Sequence, residues 1–282
     1  MKRSERAVAG IAALLLAGAL AGFAGAAGGG YGEGYVFETR EGVLAGQVRI
    51  VEAETRNGFI HIRSGDEDSV AVEVIERVRK HTHEDAEKIA DKVDLTIEAK
   101  GEVLVIKMDR SKLSGKEKSA YSASFTITLP SSMSVRVESS NGDIEVAKVE
   151  GSVHASTSNG NVRMKGSGGD ADLRTTNGDI YADLAAGDVS MRTTNGSIRL
   201  AGVRGDVKGH TTNGSIQLVV DEESDFLVEA STTNGTIVPA IDTKRFVWEA
   251  NRNRTHLEGE YGSGRHKVSL KTTNGSVRIE EI

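Results

Sequence analysis

From residue 141 onward, apolar and polar residues alternate in short runs, and the runs return at fixed spacing. After Asn177-Gly178 the apolar positions are Ile180, Ala182 and Leu184. Their counterparts are Ile144 and Val146, Val162 and Met164, Ile198 and Leu200, and Ile216 and Leu218. A second set of runs holds Val153 and Ala155, Ala171 and Leu173, and Val189 and Met191. The residues between them are polar: Glu145, Arg163, Arg199, Gln217, Asp172, Ser190 and Lys208. A period of two is the mark of a strand with one dry face and one wet face.

The runs are punctuated by Asn-Gly, at Asn141, Asn159, Asn177, Asn195, Asn213, Asn234 and Asn274. The first four intervals are 18 residues each; 21 and 40 follow. Most copies sit in Thr-Thr-Asn-Gly-x-Ile, as at Thr175–Ile180 and Thr193–Ile198. Nine residues after Gly142, Gly160, Gly178 and Gly196 come Gly151, Gly169, Gly187 and Gly205, and Asp170, Asp188 and Asp206 follow three of these. Each 18-residue unit therefore holds two strands and two turns. One such unit cannot bury its dry face alone, so stacking on neighbours is required. The fold class predicted is all-β: a β-solenoid or β-helix of about eight two-strand coils. The corners are expected to use Asn and Gly because both tolerate positive φ. Alternation places Thr175 inward and Thr176 outward, and inward Thr and corner Asn are expected to form ladders between coils. A hairpin reading, with Asn-Gly as a two-residue turn, is the local alternative. It leaves the midpoint glycines unexplained.

Residues 37–130 are strand-rich but less regular, with an outlying copy of the repeat phrase at Thr55–Ile62. Strands are expected near 94–100, 103–109 and 121–129. A helix is expected at about 83–93, capped by Thr82 with Asp85 in the reciprocal position, because Ala86, Ile89, Ala90 and Val93 share one face. Arg110–Ala120 reads as a polar loop. Pro130 suggests a boundary. The expected organisation is a leader at 1–26, a Gly-rich linker at 27–36, a capping region at 37–130 and the solenoid at 131–282. The 40-residue interval suggests one more coil carrying a long excursion. Glu280 and Glu281, at the chain's end, read as charges that discourage edge pairing.

The repeated T-T-N-G-[D/S/T]-I units, the midpoint G-D-V and the N-terminal strand–helix–strand region resemble the bacterial putative-adhesin family of β-strand-repeat domains of unknown function. The likeness runs over roughly 37–282. It implies export or membrane anchoring with an activity mostly undefined in the family, and it implies no catalytic residue. The absence of cysteine sets this chain apart from lipidated members.

Composition narrows function more than it defines it. Lys2, Arg3 and Arg6, the Ala/Leu-rich stretch from Ala7 and Ala24-Gly25-Ala26 form a secretory leader with a cleavage motif. An uncleaved membrane anchor is the competing reading. Without cysteine there is no disulfide framework, thiolate metal site or cysteine nucleophile. A net charge of −6 argues against nucleic acid as a partner. Gly at 33 of 282 residues, about 12% against the usual roughly 7%, fits many tight turns.

The residues after Asn-Gly, among them Asp143, Asn161, Asp179, Ser197 and Ser215, carry too few carboxylates for a calcium cage. The midpoint Asp170, Asp188 and Asp206 would repel one another unless turn hydrogen bonds or a cation relieved them. His81 and His83 read as helix-start residues rather than zinc ligands. No metal, cofactor or catalytic group is assigned. The candidate binding residues are Arg174, Arg192 and His210, at one place in successive coils with Lys271 in the last, and Arg163 and Arg199, which share another place with Arg278. Such stripes suit an anionic envelope polymer, a lipid headgroup or an envelope protein. The expected function is an exported, non-catalytic binding or scaffold protein of the periplasm or cell surface. A polysaccharide-active hydrolase or lyase is the alternative.

Overall fold

The structure is a computed structural model that describes residues 34–65, 68–202, 204–241 and 246–281; the side chains of Leu184 and Ala185 are also outside the description. The leader and most of the Gly-rich run lie outside the described residues. Two compact units are present, dividing between Gly142 and Asp143.

The first unit contains β1 (Gly34–Leu44), β2 (Ile50–Asn57), β3 (Ile60–Ser64), β4 (Ser69–Arg79), α1 (His83–Ala90), β5 (Asp94–Lys100), β6 (Val103–Asp109), α2 (Gly115–Ala120), β7 (Tyr121–Leu129) and β8 (Ser134–Asn141). One set of strands runs β1-β4-β7-β3 and the other β8-β2-β6-β5. The β1–β4, β4–β7 and β5–β6 pairs are antiparallel, whereas β3–β7, β2–β6 and β2–β8 are parallel. Asn57 pairs with Asn141 in the last of these, so Thr55–Ile62 is a true copy of the repeat phrase.

Helix α1 is shorter than its apolar periodicity suggested. Thr82 Oγ1 accepts the Asp85 N–H, as expected of an N-cap, but the helix stops at Ala90 with Asp91 as its C-cap. Val93 is still fully buried, against Val78, Ala86, Ile89, Leu113 and Tyr121. The helical spacing of Val93 therefore reflects a turn folded onto the same cluster. Arg110–Ala120 is not simply a polar loop. Ser114 and Glu117 form a complete capping box that starts α2, and Leu113 is buried just before it.

The second unit contains β9 (Ile144–Ala147), β10 (Val153–Asn159), β11 (Val162–Ser167), β12 (Ala171–Asn177), β13 (Ile180–Ala185), β14 (Val189–Asn195), β15 (Ile198–Ala201), β16 (Val207–Asn213) and β17 (Ile216–Val220). It continues with β18 (Phe226–Asn234), β19 (Ile237–Ala240), β20 (Phe246–Ala250), β21 (His256–Tyr261), β22 (His266–Asn274) and β23 (Val277–Glu281). One parallel sheet runs β9-β11-β13-β15-β17-β23-β19. The other runs β10-β12-β14-β16-β22-β18 and ends with antiparallel β21 and β20. The unit is a β-solenoid with regular rungs. Its dry faces carry Ile144, Val162, Ile180, Ile198, Ile216, Val277 and Ile237 on one sheet and Val153, Ala171, Val189, Val207 and Val268 on the other, all buried. Gly209 takes an inward place held by Leu173 and Met191 in earlier coils. Leu270 of the adjoining coil approaches the space its side chain would fill.

The order of the coils departs from chain order. β22 lies between β16 and β18, and β23 lies between β17 and β19. Residues 266–281 are therefore slotted inside the stack. This overturns the reading of Glu280 and Glu281 as edge guards. Glu280 meets Arg278 and Gln217, and Glu281 accepts from the Tyr261 hydroxyl at 3.0 Å.

Candidate functional site

The corners come first, because they hold most of the residues that looked chemical. Asn177 Nδ2 donates to Asn159 Oδ1 at 2.9 Å, Asn195 to Asn177 at 2.8 Å and Asn213 to Asn195 at 2.8 Å. Asn274 then donates to Asn213 at 2.7 Å, and Asn234 donates to Asn274 at 2.8 Å. In the first unit Asn141 donates to Asn57 at 2.9 Å. The amide ladder is present, and the expected positive φ falls on corner glycines, Gly58, Gly142, Gly160, Gly178 and Gly275 at 143–156°, but not on the asparagines. Among the described residues, only Lys148 and Arg254 are non-glycine residues at positive φ. The corner asparagines simply end their strands. Glycine is needed for close approach: a Cβ on Gly196 would overlap the carbonyl oxygen of Gly178 in the preceding coil.

The inward threonines are at most 7% exposed. They do not bond one another. Each Oγ1 donates to a corner glycine carbonyl of the adjoining coil: Thr175 to Gly160, Thr193 to Gly178, Thr211 to Gly196, Thr272 to Gly214 and Thr232 to Gly275, all at 2.8–2.9 Å. This satisfies a buried acceptor that the tight corner keeps from water.

The position after Asn-Gly is a third ladder. Asp143 accepts the Asn161 N–H at 2.9 Å, Asn161 that of Asp179 at 2.8 Å, and Asp179 that of Ser197 at 2.7 Å. Ser197 and Ser215 continue it more weakly, accepting from Ser215 and Ser276. What the position demands is a short side chain with an oxygen acceptor, which explains Asp, Asn and Ser there. Burial pushes the Asp143 carboxyl upward, but its bonds from Asn161 and Arg163 outweigh this and hold it below the usual carboxylate range. The midpoint aspartates behave alike. Asp170 accepts the Asp188 N–H, Asp188 that of Asp206, and Asp206 that of Lys267, at 2.9–3.0 Å. Turn hydrogen bonds thus relieve the stacked carboxylates.

His83 opens α1 and packs edge-on against Tyr35, with ring centroids 5.3 Å apart. Among the described residues, no group of three or more His, Asp or Glu side chains is arranged to hold a metal.

The candidate cations fall on two different sheets. On the outer face of the β9–β19 sheet, Arg163, Tyr181, Arg199, Gln217 and Arg278 occupy one register position. This row carries its own counter-charges. Arg163 pairs with Asp143 at 2.9 Å and lies over the Tyr181 ring. Arg278 pairs with Glu280 at 2.6 Å, and Arg199 bonds Gln217. On the outer face of the β10–β20 sheet, Arg174, Arg192, His210 and Lys271 are register neighbours on β12, β14, β16 and β22. Arg174 is neutralised by Asp172 at 2.7 Å, and His154 approaches the same carboxylate at 3.3 Å. Arg192, His210 and Lys271 have no acidic partner among the described residues. Burial, then the charges of Arg192 and Lys271, lower the His210 pKa below its ordinary value.

Lys208 joins this group on the same face of β16, two residues before His210. Shallow hollows of about 780 and 400 Å³ lie over this sheet, and both are bordered by Lys208 and Asp206. Past β22 the sign of the face reverses. Glu229, Glu258 and Glu249 are register neighbours on β18, β21 and β20. Sequence reasoning missed this acidic row because Glu249 and Glu258 belong to the hairpin inside the 40-residue interval, which breaks the repeat, and Glu229 meets them only through that hairpin.

Stacked coils with one amide ladder, one threonine ladder and two acceptor ladders define a parallel β-solenoid. The chain belongs to the Toastrack DUF4097 family, matched over residues 51–208 and 167–280. No curated protein matches it. Among solved structures it is similar to a "putative cell adhesion protein" from Clostridium sporogenes, at 12% identity over 88% of this chain and 100% of that one, TM-score 0.37. It is also similar to a "putative adhesin" from Bacteroides fragilis, at 14% identity over 86% and 96%, TM-score 0.36. A "putative lipid binding protein" from Parabacteroides distasonis stands at 11% identity over 87% and 96%, TM-score 0.36.

Proposed function

We propose that this is an exported envelope protein that binds or scaffolds without catalysis and takes an anionic ligand on Arg192, His210 and Lys271. One observation carries the reading: on three adjacent strands, two cations, Arg192 and Lys271, flank His210 at a single register position without an acidic neighbour among the described residues. Strands are about 4.8 Å apart. Arg192 and Lys271 are two spacings apart, about 10 Å, and repel by roughly 0.4 kcal/mol in water and by more near protein; protonating His210 between them would add roughly 1 kcal/mol against each. A row of phosphates or carboxylates lying across the strands would reverse the sign of that energy. The non-catalytic part of the reading is supported by Asp143 and Asp179. Both are committed to corner hydrogen bonds rather than free in a cleft. Export rests on the leader pattern in residues 1–26.

The test is salt-sensitive retention of Arg192→Glu/Lys271→Glu against wild type. The probes are phosphatidylcholine vesicles with and without phosphatidylglycerol, and soluble polygalacturonate. Loss of retention on vesicles alone assigns a lipid headgroup; loss on both assigns a general polyanion row. Unchanged retention with a native circular dichroism spectrum refutes the reading. Cell fractionation with sequencing of the mature N-terminus tests export.

A further inference from the structure

The Asn-Gly corners are not equivalent. The corner N–H of Gly160 donates to Asn177 O, that of Gly178 to Asn195 O, that of Gly196 to Asn213 O, that of Gly214 to Asn274 O and that of Gly275 to Asn234 O, at 2.9–3.1 Å. Gly58 does the same to Asn141 O. Gly235 has no acceptor among the described residues, and it alone of the corner glycines is exposed rather than half-buried. The side chains show the same asymmetry. Asn177, Asn195, Asn213 and Asn274 each donate one ladder bond and accept another. Asn234 donates to Asn274 and accepts none. The reason is its position. It closes the coil of β18 and β19, and β19 is the terminal strand of its sheet among the described residues, with β23 as its strand partner. On the outer side Thr232 N–H donates to Thr255 O and Ile237 N–H to Arg254 O, so a turn brackets the corner, but neither bond reaches the Gly235 nitrogen.

We propose that Asn234 is a site of covalent self-modification, by deamidation through a succinimide. The Gly235 amide nitrogen, after losing its proton to solvent base, attacks Asn234 Cγ. The N–Cγ bond forms, the Cγ–Nδ2 bond breaks, and Nδ2 leaves with protons from water as ammonia. Water then adds to either ring carbonyl, giving aspartate or isoaspartate. Asparagine plus water thus becomes an acid plus ammonia, and nothing is oxidised. Glycine favours this attack at every corner because it has no Cβ to obstruct the ring. At Asn177, Asn195, Asn213 and Asn274 the attacking nitrogen is tied to the next coil and the amide is held on both sides. At Asn234 the attacking nitrogen has no such acceptor among the described residues, and the amide is held on one side only, by Asn274. The isoaspartyl product lengthens the main chain by one methylene just before β19 and replaces the amide donor to Asn274 with a carboxylate.

The test ages the full chain at mildly alkaline pH and follows each Asn-Gly peptide by mass spectrometry with isoaspartate detection. Freeing the nucleophile from one bond predicts deamidation at Asn234 roughly tenfold faster than at Asn177, Asn195, Asn213 or Asn274, a ratio worth about 1.4 kcal/mol. In concentrated urea the rates should converge. Asn234→Gln should remove the leading isoaspartate signal and leave the circular dichroism spectrum unchanged. Equal rates in the folded chain, a different leading corner, or a lead for Asn234 that persists in urea would each overturn the proposal.

Discussion

Replacing Thr211 with valine separates the hydroxyl of the threonine ladder from everything else the residue does. Thr211 is fully buried, and its Oγ1 lies 2.8 Å from Gly196 O. Valine keeps the shape, the β-branch and the strand preference, so packing is nearly conserved. What disappears is one donor to a carbonyl crowded by the next coil. Leaving such an acceptor without its partner costs about 1–3 kcal/mol. For a domain of 150–250 residues each kcal/mol lowers the Tm by roughly 2–4 °C. The neighbouring Thr212 supplies the control. It belongs to the same repeat phrase but points to the wet side, and Thr212→Val should stay within about 0.5 kcal/mol. Thr211→Ser keeps the donor and loses one methyl, so its loss should stay near 0.8 kcal/mol. Urea titration followed by circular dichroism measures all three. Equal losses for Thr211→Val and Thr212→Val, or a neutral Thr211→Val, would show that the buried hydroxyls contribute nothing to coil stacking.

Gly196→Ala should cost about 3 kcal/mol or more, because the added Cβ overlaps backbone that cannot yield; a loss below that of Thr211→Val in the same titration contradicts it. Deleting residues 265–282 removes β22 and β23, which have strands on both sides, and should produce aggregation by light scattering; a monomer unfolding at the wild-type urea concentration refutes the insertion. Asp225 accepts from Ser263 and Arg265, and these bonds hold its pKa at about 2 against 3.8 unperturbed. Its folded pKa is lowered, so its contribution is complete above about pH 4 and is lost as pH falls toward 2; Asp225→Asn should flatten that part of the stability–pH curve. His210 also has a lowered pKa, so acidification below 6.5 should weaken the fold. An anion bound on its row should raise that pKa in an NMR titration, and no shift on saturation would count against the row as the binding site.

The regular coils were legible because their constraints are local and repeated. A single strand with period-two alternation fixes which residues face inward, and four equal 18-residue intervals fix which coils stack. The inward Thr, the corner Asn ladder and the cation registers follow from that arithmetic. What the partners would be did not follow. Asp143 reaches Arg163 at a distance of 20 residues, and Arg174 is neutralised within its own strand by Asp172. With Arg199 also 4.0 Å from Glu280, three of the five candidate cations thus carry counter-ions that depend on rotamers rather than register. Helix α2 was signalled by Ser114 and Glu117 at capping-box spacing, but only Leu113 marked an apolar side. A single buried residue gives no period. The hairpin β20–β21 was hidden for the same reason. It occurs once, so no repeat announces it.

The coil order was beyond reach for a different reason. Intervals of 21 and 40 residues give lengths of chain, not neighbours, and β18 and β22 carry the same Thr-Thr-Asn-Gly ending. Either could stack on β16 with its Asn and Thr in register. The flanking residues distinguish them. β18 extends from Phe226 and pairs on its far side with antiparallel β21, which a strand buried inside a parallel stack could not do. β22 has parallel neighbours on both sides. The insertion also decides what ends the stack. In one sheet the terminal strand among the described residues is β19, four residues long and containing Pro239, which cannot donate to another strand. In the other it is β20, reached through an antiparallel pair. Burying the last coil thus leaves the stack to finish on a short, proline-bearing strand and a hairpin, both poor templates for adding a further coil. It frees Glu280 and Glu281 to pair with Arg278 and Tyr261 within the stack.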